Sequence, residues 1–545
     1  MAEASSASVK RLTLIACILG SGIALLDSTV VNVALPTIQR DLGGGLAAQQ
    51  WVVNAYLLTL GSLILIGGSL GDLFGERRIF ALGVGGFGAA SLLCALAPTI
   101  GALIAARALQ GVASALLTPS ALAVIVSTFP QAERAPAIGS WTAWGGIAMV
   151  LGPLIGGELL AITSWRSIFL INLPLVIVCV TLILAVIPPR ERSRERTAAR
   201  SIDYPAALLC SLGLGGPVFA LIEQPRLGWS SPAVVAPLIV GAVLLACFVL
   251  YESRARDPML PLALFRRRNF SAGNLETLSM YAGLSTLFFF LVLFLQQVGG
   301  YTPLQSGIAI LPTTLVMFTL SRRFGALADR HGPRLFMGAG PLIAACGLLL
   351  FQRVGVHVDY VSEVLPALVV FSLGLSMTVA PLTATVLAGV EINQAGIASA
   401  VNNAIARVAG LLGTAAVGAV VAASFAAHLD SRLSGRALGP PAKIAVAQAR
   451  KLAIGRPDTN GLPPAQARTV TAAAEHAAVA SFHLGLGIAA LLVALGGVAG
   501  VLGVRNPKRV VRARECEGGQ LIGAALDAAG CHEDARLARA QTSVN

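Results

Sequence analysis

Gly68-Ser-Leu-Gly-Asp-Leu-Phe-Gly-Glu-Arg-Arg78 recurs 257 residues later as Gly325-Ala-Leu-Ala-Asp-Arg-His-Gly-Pro-Arg334. Each copy is a short polar segment between apolar runs that are long enough to cross a bilayer. A polar loop that recurs at the same place relative to its flanking spans is typical of a duplicated helical bundle. The sequence therefore predicts two related bundles joined in one chain.

The composition of the 545 residues points to a membrane protein. Hydrophobic side chains make up 56% and charged side chains 12%, against about 45 to 50% and about 25% in soluble domains. Apolar runs such as residues 79–97 and 233–251 are unbroken, whereas the strands of a membrane β-barrel alternate polar and apolar positions. The chain is thus predicted to be an all-α polytopic membrane protein.

Fourteen apolar runs bounded by charge, Pro or Gly are candidate spans. They begin near residues 12, 50, 79, 100, 135, 166, 203, 233, 269, 304, 335, 364, 396 and 481. The two copies of the polar loop follow spans 2 and 10, so eight spans separate them. This spacing predicts fourteen transmembrane helices arranged 6+2+6, with both termini on one side of the membrane.

The span pattern also predicts domain boundaries. Residues 1–188 form an N-terminal six-helix bundle, residues 189–268 hold two linker helices with cytoplasmic loops, and residues 269–503 form a C-terminal six-helix bundle. Residues 504–545 are a cytoplasmic tail. The loop 426–480 is Ala-rich with scattered charge, which favours amphipathic helices that form a solvated or interfacial lid on the outer face over a binding domain.

The distribution of basic residues predicts the orientation. If the N-terminus is cytoplasmic, the inner segments hold 26 of the 39 Lys and Arg residues and the outer segments hold 11. Cytoplasmic loops attract Lys and Arg, so both termini are expected on the cytoplasmic side of a protein in the cytoplasmic membrane. This asymmetry accounts for most of the net charge of +13 without a nucleic-acid partner. The expected partners are the lipid bilayer and a small-molecule substrate, and the chain is expected to work as a monomer.

The duplicated loop resembles the signature loop of the major facilitator superfamily. The run Leu26-Asp-Ser-Thr-Val-Val-Asn-Val-Ala-Leu-Pro36 in span 1 is similar to a motif of its fourteen-span drug:proton antiporter branch. The resemblance implies the major facilitator fold and proton-coupled efflux of mostly hydrophobic small molecules by alternating access. It also implies a conformational latch formed by Gly68, Asp72, Gly75, Arg77, Arg78, Gly325, Asp329, Arg330, Gly332 and Arg334.

Asp27 is a carboxylate within a span. Insertion of such a group costs about 2.5 to 3.5 kcal/mol, so it is expected to face a cavity and to be paired or protonated, as a proton carrier must be. Span 4 supplies Arg107 and Gln110, which lie three residues apart and share one helix face. Arg107 keeps its proton and is expected to tune Asp27. The alternative is a structural ion pair, and Asn32 is a further polar residue of span 1 and a candidate for the substrate cavity.

A glycine motif in span 5 bears on the direction of transport. Gly152, Pro153, Gly156 and Gly157 resemble the antiporter motif, which is associated with exporters. Gly152 and Gly156 are four residues apart and provide a flat surface for close helix packing. Without the other motifs, these residues would indicate only a glycine packing face.

The second half has polar residues of its own in or near its spans. Glu276 lies in span 9 and departs from the pattern of typical family members, so it is either a second proton or cation site or a residue that snorkels at the inner end. Gln296, Asn402 and Arg407 join Asn32 and Gln110 as candidates for the substrate cavity.

Other classes of membrane protein lack support in the sequence. No lysine follows a glycine, so the Gly-Lys step of a P-loop is missing. The six histidines fall in loops, tail or span ends, which disfavours a haem enzyme. The chain is expected to be a secondary active transporter, not an enzyme, with no metal and no cofactor beyond a proton gradient. The open alternatives are a dedicated exporter of one metabolite or lipid and a proton-coupled uptake symporter.

Overall fold

Among the residues that the computed structural model describes, fourteen helical spans are long and apolar enough to cross a membrane, which confirms the predicted number. The structure describes residues 2–188, 203–255, 258–387, 390, 395–436, 438–455 and 457–506. All regular elements in these ranges are helices. Most of the predicted loop after residue 188 and most of the predicted tail lie outside the described residues.

The first six spans consist of seven helices, because span 6 is interrupted at Ile171. Pro174 lies in the first turn of the second segment, where a missing N–H costs no hydrogen bond. The helices are α1 (Ala2–Leu42), α2 (Leu46–Phe74), α3 (Glu76–Leu96), α4 (Ile100–Thr128), α5 (Gln131–Ile162), α6 (Ser167–Leu170) and α7 (Asn172–Val186).

Spans 7 to 14 and one additional helix follow. Spans 7 and 8 are α8 (Tyr204–Leu227) and α9 (Pro232–Arg254). Spans 9 to 14 are α10 (Arg268–Gln297), α11 (Pro303–His331), α12 (Pro333–Leu350), α13 (Leu365–Leu387), α14 (Ala395–Leu433) and α16 (Pro464–Gly503), and the additional helix α15 (Pro440–Leu452) lies between the last two. Short helical turns at Leu262–Arg266, Phe351–Arg353 and Tyr360–Val364 complete the fold.

The predicted loop 426–480 is mostly helical, and the predicted start of span 14 near residue 481 was wrong. Helix α14 continues to Leu433, and α16 begins at Pro464. Charged residues such as Arg468 and Glu475 lower the hydropathy of this segment, yet its alanines favour a helix. Helix α16 has 40 residues, or about 60 Å at 1.5 Å per residue, twice the hydrocarbon thickness of about 30 Å. The helix therefore extends beyond the bilayer.

The packing of the first half recurs in the second half. Span 1 packs on spans 4, 5 and 6, span 2 on span 4, and span 3 on spans 4 and 6. Span 9 likewise packs on spans 12, 13 and 14, span 10 on span 12, and span 11 on spans 12 and 14. The two patterns coincide after a shift of eight spans. The six-helix bundles on either side of spans 7 and 8 thus have the same internal arrangement.

The interface between the halves is also symmetric. Span 2 packs on span 13, and span 5 packs on span 10; these are equivalent pairs, because spans 10 and 13 correspond to spans 2 and 5. Span 7 packs on both spans 2 and 13, whereas span 8 packs on span 7. The first linker helix therefore lies against a seam where the two halves meet.

Several hydrogen bonds between the halves lie toward the same face. We call the face with residues 68–78 and 325–334 the motif face and the opposite one the distal face. Gln50 Nε2 donates to the carbonyl of Thr414 at 2.6 Å, and the Thr414 hydroxyl donates to Asn54 at 3.1 Å. Gln297 Nε2 donates to Gln39 Oε1 at 3.3 Å near the distal ends of α10 and α1. These contacts hold the distal face closed.

Candidate functional site

Asp27 and Arg107 form an ion pair inside the first six-helix bundle. Arg107 Nη1 lies 2.5 Å from Asp27 Oδ2, and the two side chains are 1% and 0% exposed. Asp27 is on α1 and Arg107 on α4, which pack directly against each other. The pairing expected from the sequence is therefore present, and it is sealed from solvent in this conformation.

Amide side chains complete the shell around Asp27. Gln110 Nε2 donates to Asp27 Oδ1 at 3.0 Å and to Ser91 Oγ at 2.9 Å, while its Oε1 accepts from Arg107 at 2.6 Å. Asn172 Nδ2, on α7, also donates to Asp27 Oδ1, at 3.2 Å. Helices α1, α3, α4 and α7 thus each supply a polar side chain to one buried network.

The donors around Asp27 indicate its protonation state. Three N–H groups point at its two oxygens, from Arg107, Gln110 and Asn172. A protonated carboxyl group would present a donor of its own, whereas a carboxylate only accepts. The arrangement of donors around Asp27 thus suits a carboxylate, whose charge would balance that of Arg107.

Tyr56 separates this network from a crevice between the two halves. Its ring lies 4.4 Å from the Arg107 guanidinium carbon, and its hydroxyl is 3.0 Å from Ser114 Oγ. The crevice is narrow in this conformation, with a cavity volume of about 20 Å³. It is lined by Ser21, Ala24, Leu25, Ser28, Tyr56, Leu60, Thr118 and Arg407.

Of the five cavity candidates, Arg407 lines this crevice. Gln110 belongs to the Asp27 network, and Gln296 Nε2 donates to the Val33 carbonyl and to Ser306 Oγ, both at 2.9 Å. Asn402 donates to Asn274 and Thr277 of α10, both at 2.8 Å. Asn32 donates weakly to the Ser28 carbonyl on its own helix, at 3.4 Å. The structure therefore places these five residues at separate sites.

Glu276 is buried in the second half without a hydrogen-bond partner for either carboxyl oxygen in the described structure. A Cβ atom on Gly500 of α16 would lie 2.8 Å from Glu276 Oε2, so the carboxyl group lies against that glycine. Glu276 does not snorkel, because it is 0% exposed. It lies between spans 9 and 14, which correspond to spans 1 and 6 of the first half; Asp27 of span 1 likewise contacts span 6, through Asn172, in addition to its ion pair with span 4.

The two copies of the duplicated loop have the same turn. Gly75 and Gly332 both have positive φ angles, 95° and 85°, and each ends one helix and begins the next. Arg77 donates to the carbonyls of Ile183 and Leu184 at the end of α7, at 3.4 and 2.7 Å. Arg77 is the second residue of α3, the third span of its half.

Arg334 repeats this contact in the second half, where its Nε donates to the Val501 carbonyl at 2.7 Å. Both arginines thus hold the last span of their own half, whereas the latch hypothesis has them act between the halves. Of the other expected latch residues, Gly325 is buried, Gly68 and Asp329 are partly buried, and Arg78 and Arg330 are exposed. The side chain of Asp72 lies outside the described residues.

The glycine motif of α5 lies where both halves meet. Gly152 faces Leu26 and Thr29 of α1, and Gly156 faces Val30 of the same helix. On the other side, a Cβ atom on Gly157 would lie 2.5 Å from Leu304 Cα, and one on Gly307 would lie 2.6 Å from the Pro153 carbonyl oxygen. The motif therefore allows close packing both on the helix that carries Asp27 and on α11 of the second half.

The comparison with known families matches the description Major Facilitator Superfamily to residues 17–414. This chain belongs to the major facilitator superfamily. It is 39% identical over 413 residues to the puromycin resistance protein pur8 of Streptomyces alboniger, covering 75% of this chain and 81% of that relative. It is 36% identical to the multidrug resistance protein Stp of Mycobacterium tuberculosis, covering 79% of each.

Further matches support the same assignment of this major facilitator protein. The tetracenomycin C resistance and export protein of Streptomyces glaucescens is 34% identical over 75% of this chain and 76% of its own length. The structure of a bacterial homologue of the human lysosomal transporter Spinster, in an inward-facing and unoccupied conformation, aligns with a TM-score of 0.60. That alignment has 17% identity and covers 92% of this chain and 99% of the other, so it shows the fold.

Three residues of the site in this major facilitator protein were not among the sequence-predicted candidates. Asn172 follows the break in span 6, and a buried amide within an apolar run is a signal that could have identified it. Ser91 and Tyr56 carry no such signal, because serine satisfies its hydroxyl within a helix and tyrosine is common at span ends. Their roles depend on which helices face each other.

Proposed function

We propose that this transporter exports mostly hydrophobic, drug-like small molecules across the cytoplasmic membrane in exchange for protons. Support comes from the puromycin, tetracenomycin C and multidrug resistance proteins to which it is similar. Alternating access of the two halves moves the substrate, and the proton gradient drives it without another cofactor. A dedicated exporter of one metabolite or lipid and an uptake symporter are the alternatives.

The observation that carries this proposal is the buried Asp27–Arg107 ion pair. Arg107 is a fixed charge, because a guanidinium does not lose its proton in proteins. Asp27 is the titratable partner, and its protonation removes the charge that Arg107, Gln110 and Asn172 now solvate. A bound proton thus weakens the network that ties α1 to α4 and α7.

This weakening connects the proton to the conformational change. Helix α1 packs on α5 through Gly152 and Gly156, and α5 packs on α11 of the other half through Gly157. A shift of α1 on protonation is therefore passed to an interface between the halves. Protonation from the distal side and deprotonation on the motif side complete one transport cycle.

Glu276 is a second proton-coupling residue in this proposal. Burial of an unpaired carboxylate is strongly unfavourable, so a carboxyl group with no donor near it is favoured in its neutral form. In the described structure no basic side chain forms a hydrogen bond with Glu276, whereas Arg107 pairs with Asp27. The two halves then hold one ionised and one neutral acid in the same conformation.

The orientation follows from the charge distribution. The side that carries the N-terminus and the two duplicated loops holds 26 of the 39 basic residues, and cytoplasmic loops are enriched in Lys and Arg. The motif face is therefore cytoplasmic and the distal face is external. One chain contains the whole pathway between its two halves, so it works as a monomer and needs no nucleic-acid partner.

The proposal is tested by proton counterflow in inverted membrane vesicles. Addition of a transported compound, identified in a resistance panel of neutral and charged drugs, to energised vesicles should release protons from the lumen while the compound accumulates. Asp27→Asn should abolish both signals, because residue 27 can no longer exchange a proton. Glu276→Gln should lower the number of protons moved per substrate.

Asp41→Asn is the matched control, since Asp41 is exposed at the distal end of the same helix, about 21 Å from Asp27 at 1.5 Å per residue. It should behave like the wild type. Uphill efflux with unchanged proton flow in Asp27→Asn would exclude Asp27 as the carrier. Flux in the opposite direction would identify an uptake symporter, and transport of a single compound would identify a dedicated exporter.

A further inference from the structure

Arg407 has no described counter-charge. It lies on α14 and lines the crevice between the halves, where its side chain is partly buried. No described residue accepts a hydrogen bond from it or forms an ion pair with it. A guanidinium stays charged, and a partly desolvated cation gains free energy from an anionic partner. Its position therefore favours a partner that arrives from outside the chain.

The two buried acids of the six-helix bundles, Asp27 and Glu276, both lie away from this crevice. Asp27 is bound to Arg107 at 2.5 Å and is fully buried, and the ring of Tyr56 lies between that pair and the crevice. Glu276 lies against Gly500 of α16, on the far side of α10 from Asn402 of α14, which contacts Asn274 and Thr277. Neither acid lines the crevice.

The remaining lining has no charge that offsets Arg407. Two aliphatic side chains, Leu25 and Leu60, and the ring of Tyr56 form the apolar part. The hydroxyl groups of Ser28 and Thr118 border the same space, and Ser28 Oγ already donates to the Leu25 carbonyl at 2.7 Å. The crevice therefore combines an apolar wall with a single positive charge.

We propose that Arg407 binds an anionic group of the transported compound, which makes amphipathic organic anions with a carboxylate or phenolate a preferred substrate class. The planar guanidinium fork matches a carboxylate in two parallel hydrogen bonds, while the apolar part of the compound packs on Leu60 and Tyr56. This inference rests on the proposed export function. Cationic compounds are disfavoured at this site by charge repulsion.

Export of such an anion agrees with the energetics of a cell membrane. An inside-negative potential drives anions outward and protons inward, so both movements of an exchange run with the electrical gradient. The proton site at Asp27 and the anion site at Arg407 are separate. A substitution can therefore remove the anion site and leave the proton site in place, or the reverse.

The test uses three probes with one ring system and different charge: 2-naphthoate, 2-naphthamide and 2-naphthylmethylammonium. Binding to the purified transporter in detergent, measured without a gradient, should favour naphthoate over the amide by about tenfold or more, with the cation weakest. Arg407→Gln should remove this preference, whereas Arg407→Lys should keep the charge but lose part of the preference. Arg432→Gln, at an exposed position near the end of the same helix, should leave it unchanged.

Equal or weaker binding of naphthoate relative to the amide in the wild type would overturn the proposal, as would an undiminished preference in Arg407→Gln. If Arg407→Gln does not fold, the wild-type ranking and Arg407→Lys still decide. Transport of the neutral amide by Arg407→Gln, driven by a proton gradient, tests the export function without the anion site. If this transport persists while the naphthoate preference is absent from the wild type, the export function stands and the anion site fails. If the wild type transports none of the probes but still binds naphthoate preferentially, the export function is contradicted and the anion site is supported.

Discussion

The Asp27–Arg107 pair makes a prediction about stability at the scale of single residues. Arg107→Leu leaves Asp27 buried with only two amide donors, and loss of one partner from a buried ion pair costs about 3 to 5 kcal/mol. The thermal unfolding temperature should therefore fall strongly. Asp27→Asn combined with Arg107→Leu removes both charges, so the double variant should unfold at a higher temperature than Arg107→Leu alone.

The exposed pair between Lys10 and Glu133 is a matched control, because it also joins two helices of the first half, at 2.8 Å. Its side chains are 26% and 51% exposed, and such pairs contribute about 0.2 to 1 kcal/mol. Lys10→Gln and Glu133→Gln should change unfolding little, singly or together. Additive effects of the Asp27 and Arg107 substitutions would argue against a coupled pair.

Sequence reasoning found the charged members of the site but not their surroundings. Asp27, Arg107 and Gln110 are identifiable because each interrupts an apolar run, where a polar side chain requires a partner. The crevice neighbours of Arg407 are not identifiable in this way. Whether a given arginine meets Asp27 or an open crevice depends on the rotation of each helix, which the sequence of that helix does not determine.

At the scale of helices, Arg77 caps the end of α7. The last carbonyls of a helix lack partners within it, and Arg77 donates to that of Leu184 at 2.7 Å. Its longer contact, at 3.4 Å, is to the Ile183 carbonyl, which also accepts from the Ile187 N–H. Arg77→Ala should therefore lower the unfolding temperature, with a loss of about 1 to 2 kcal/mol for an unsatisfied carbonyl end. Arg78→Ala, at the exposed neighbouring position, should have little effect.

The same two variants distinguish a cap within one half from a latch between the halves. A cap predicts that Arg77→Ala lowers stability but leaves the balance of the two access states unchanged, as measured by labelling of single cysteines placed on each face. The latch hypothesis predicts a shift in that balance. A clear shift without a loss of stability would contradict the cap and support the latch.

Helix ends show where hydropathy alone is sufficient. Span 4 was predicted to begin near residue 100, and α4 begins at Ile100, because Pro98 and Thr99 mark its start. Helix α16 instead begins at Pro464, well before the predicted start, since hydropathy reports the bilayer and not the helix. Alanine-rich extensions such as residues 464–480 require helix propensity as a second criterion.

At the scale of the whole molecule, the duplicated loop was sufficient to predict two related bundles. It was not sufficient to predict how they meet. The contacts of span 2 with span 13 and of span 5 with span 10 join segments far apart in sequence, and small residues such as Gly157 and Gly307 decide the approach. The position of span 7 across one of these seams likewise follows from packing and not from hydropathy.

The distal closure should govern transport if the halves move against each other. Gln39 and Gln297 are in hydrogen-bond contact across the halves at 3.3 Å, and α15 lies above them, with Gly455 near Gln297 and Lys451 against Gly45. A covalent link between residues 39 and 297 would hold this face shut. The substrate would then have no exit on the distal side.

In a variant without native cysteines, Gln39→Cys with Gln297→Cys, joined by a short reducible bifunctional thiol reagent, should therefore lose transport and regain it after reduction. Asp430→Cys with Arg450→Cys is the control, because these residues also form a pair on the distal side, but within the second half. Their link should leave transport intact, since it spans no moving interface. Normal transport by the linked Gln39–Gln297 variant would show that the halves do not separate at this point. Loss of transport in both linked variants would show that any cross-link on the distal face blocks transport.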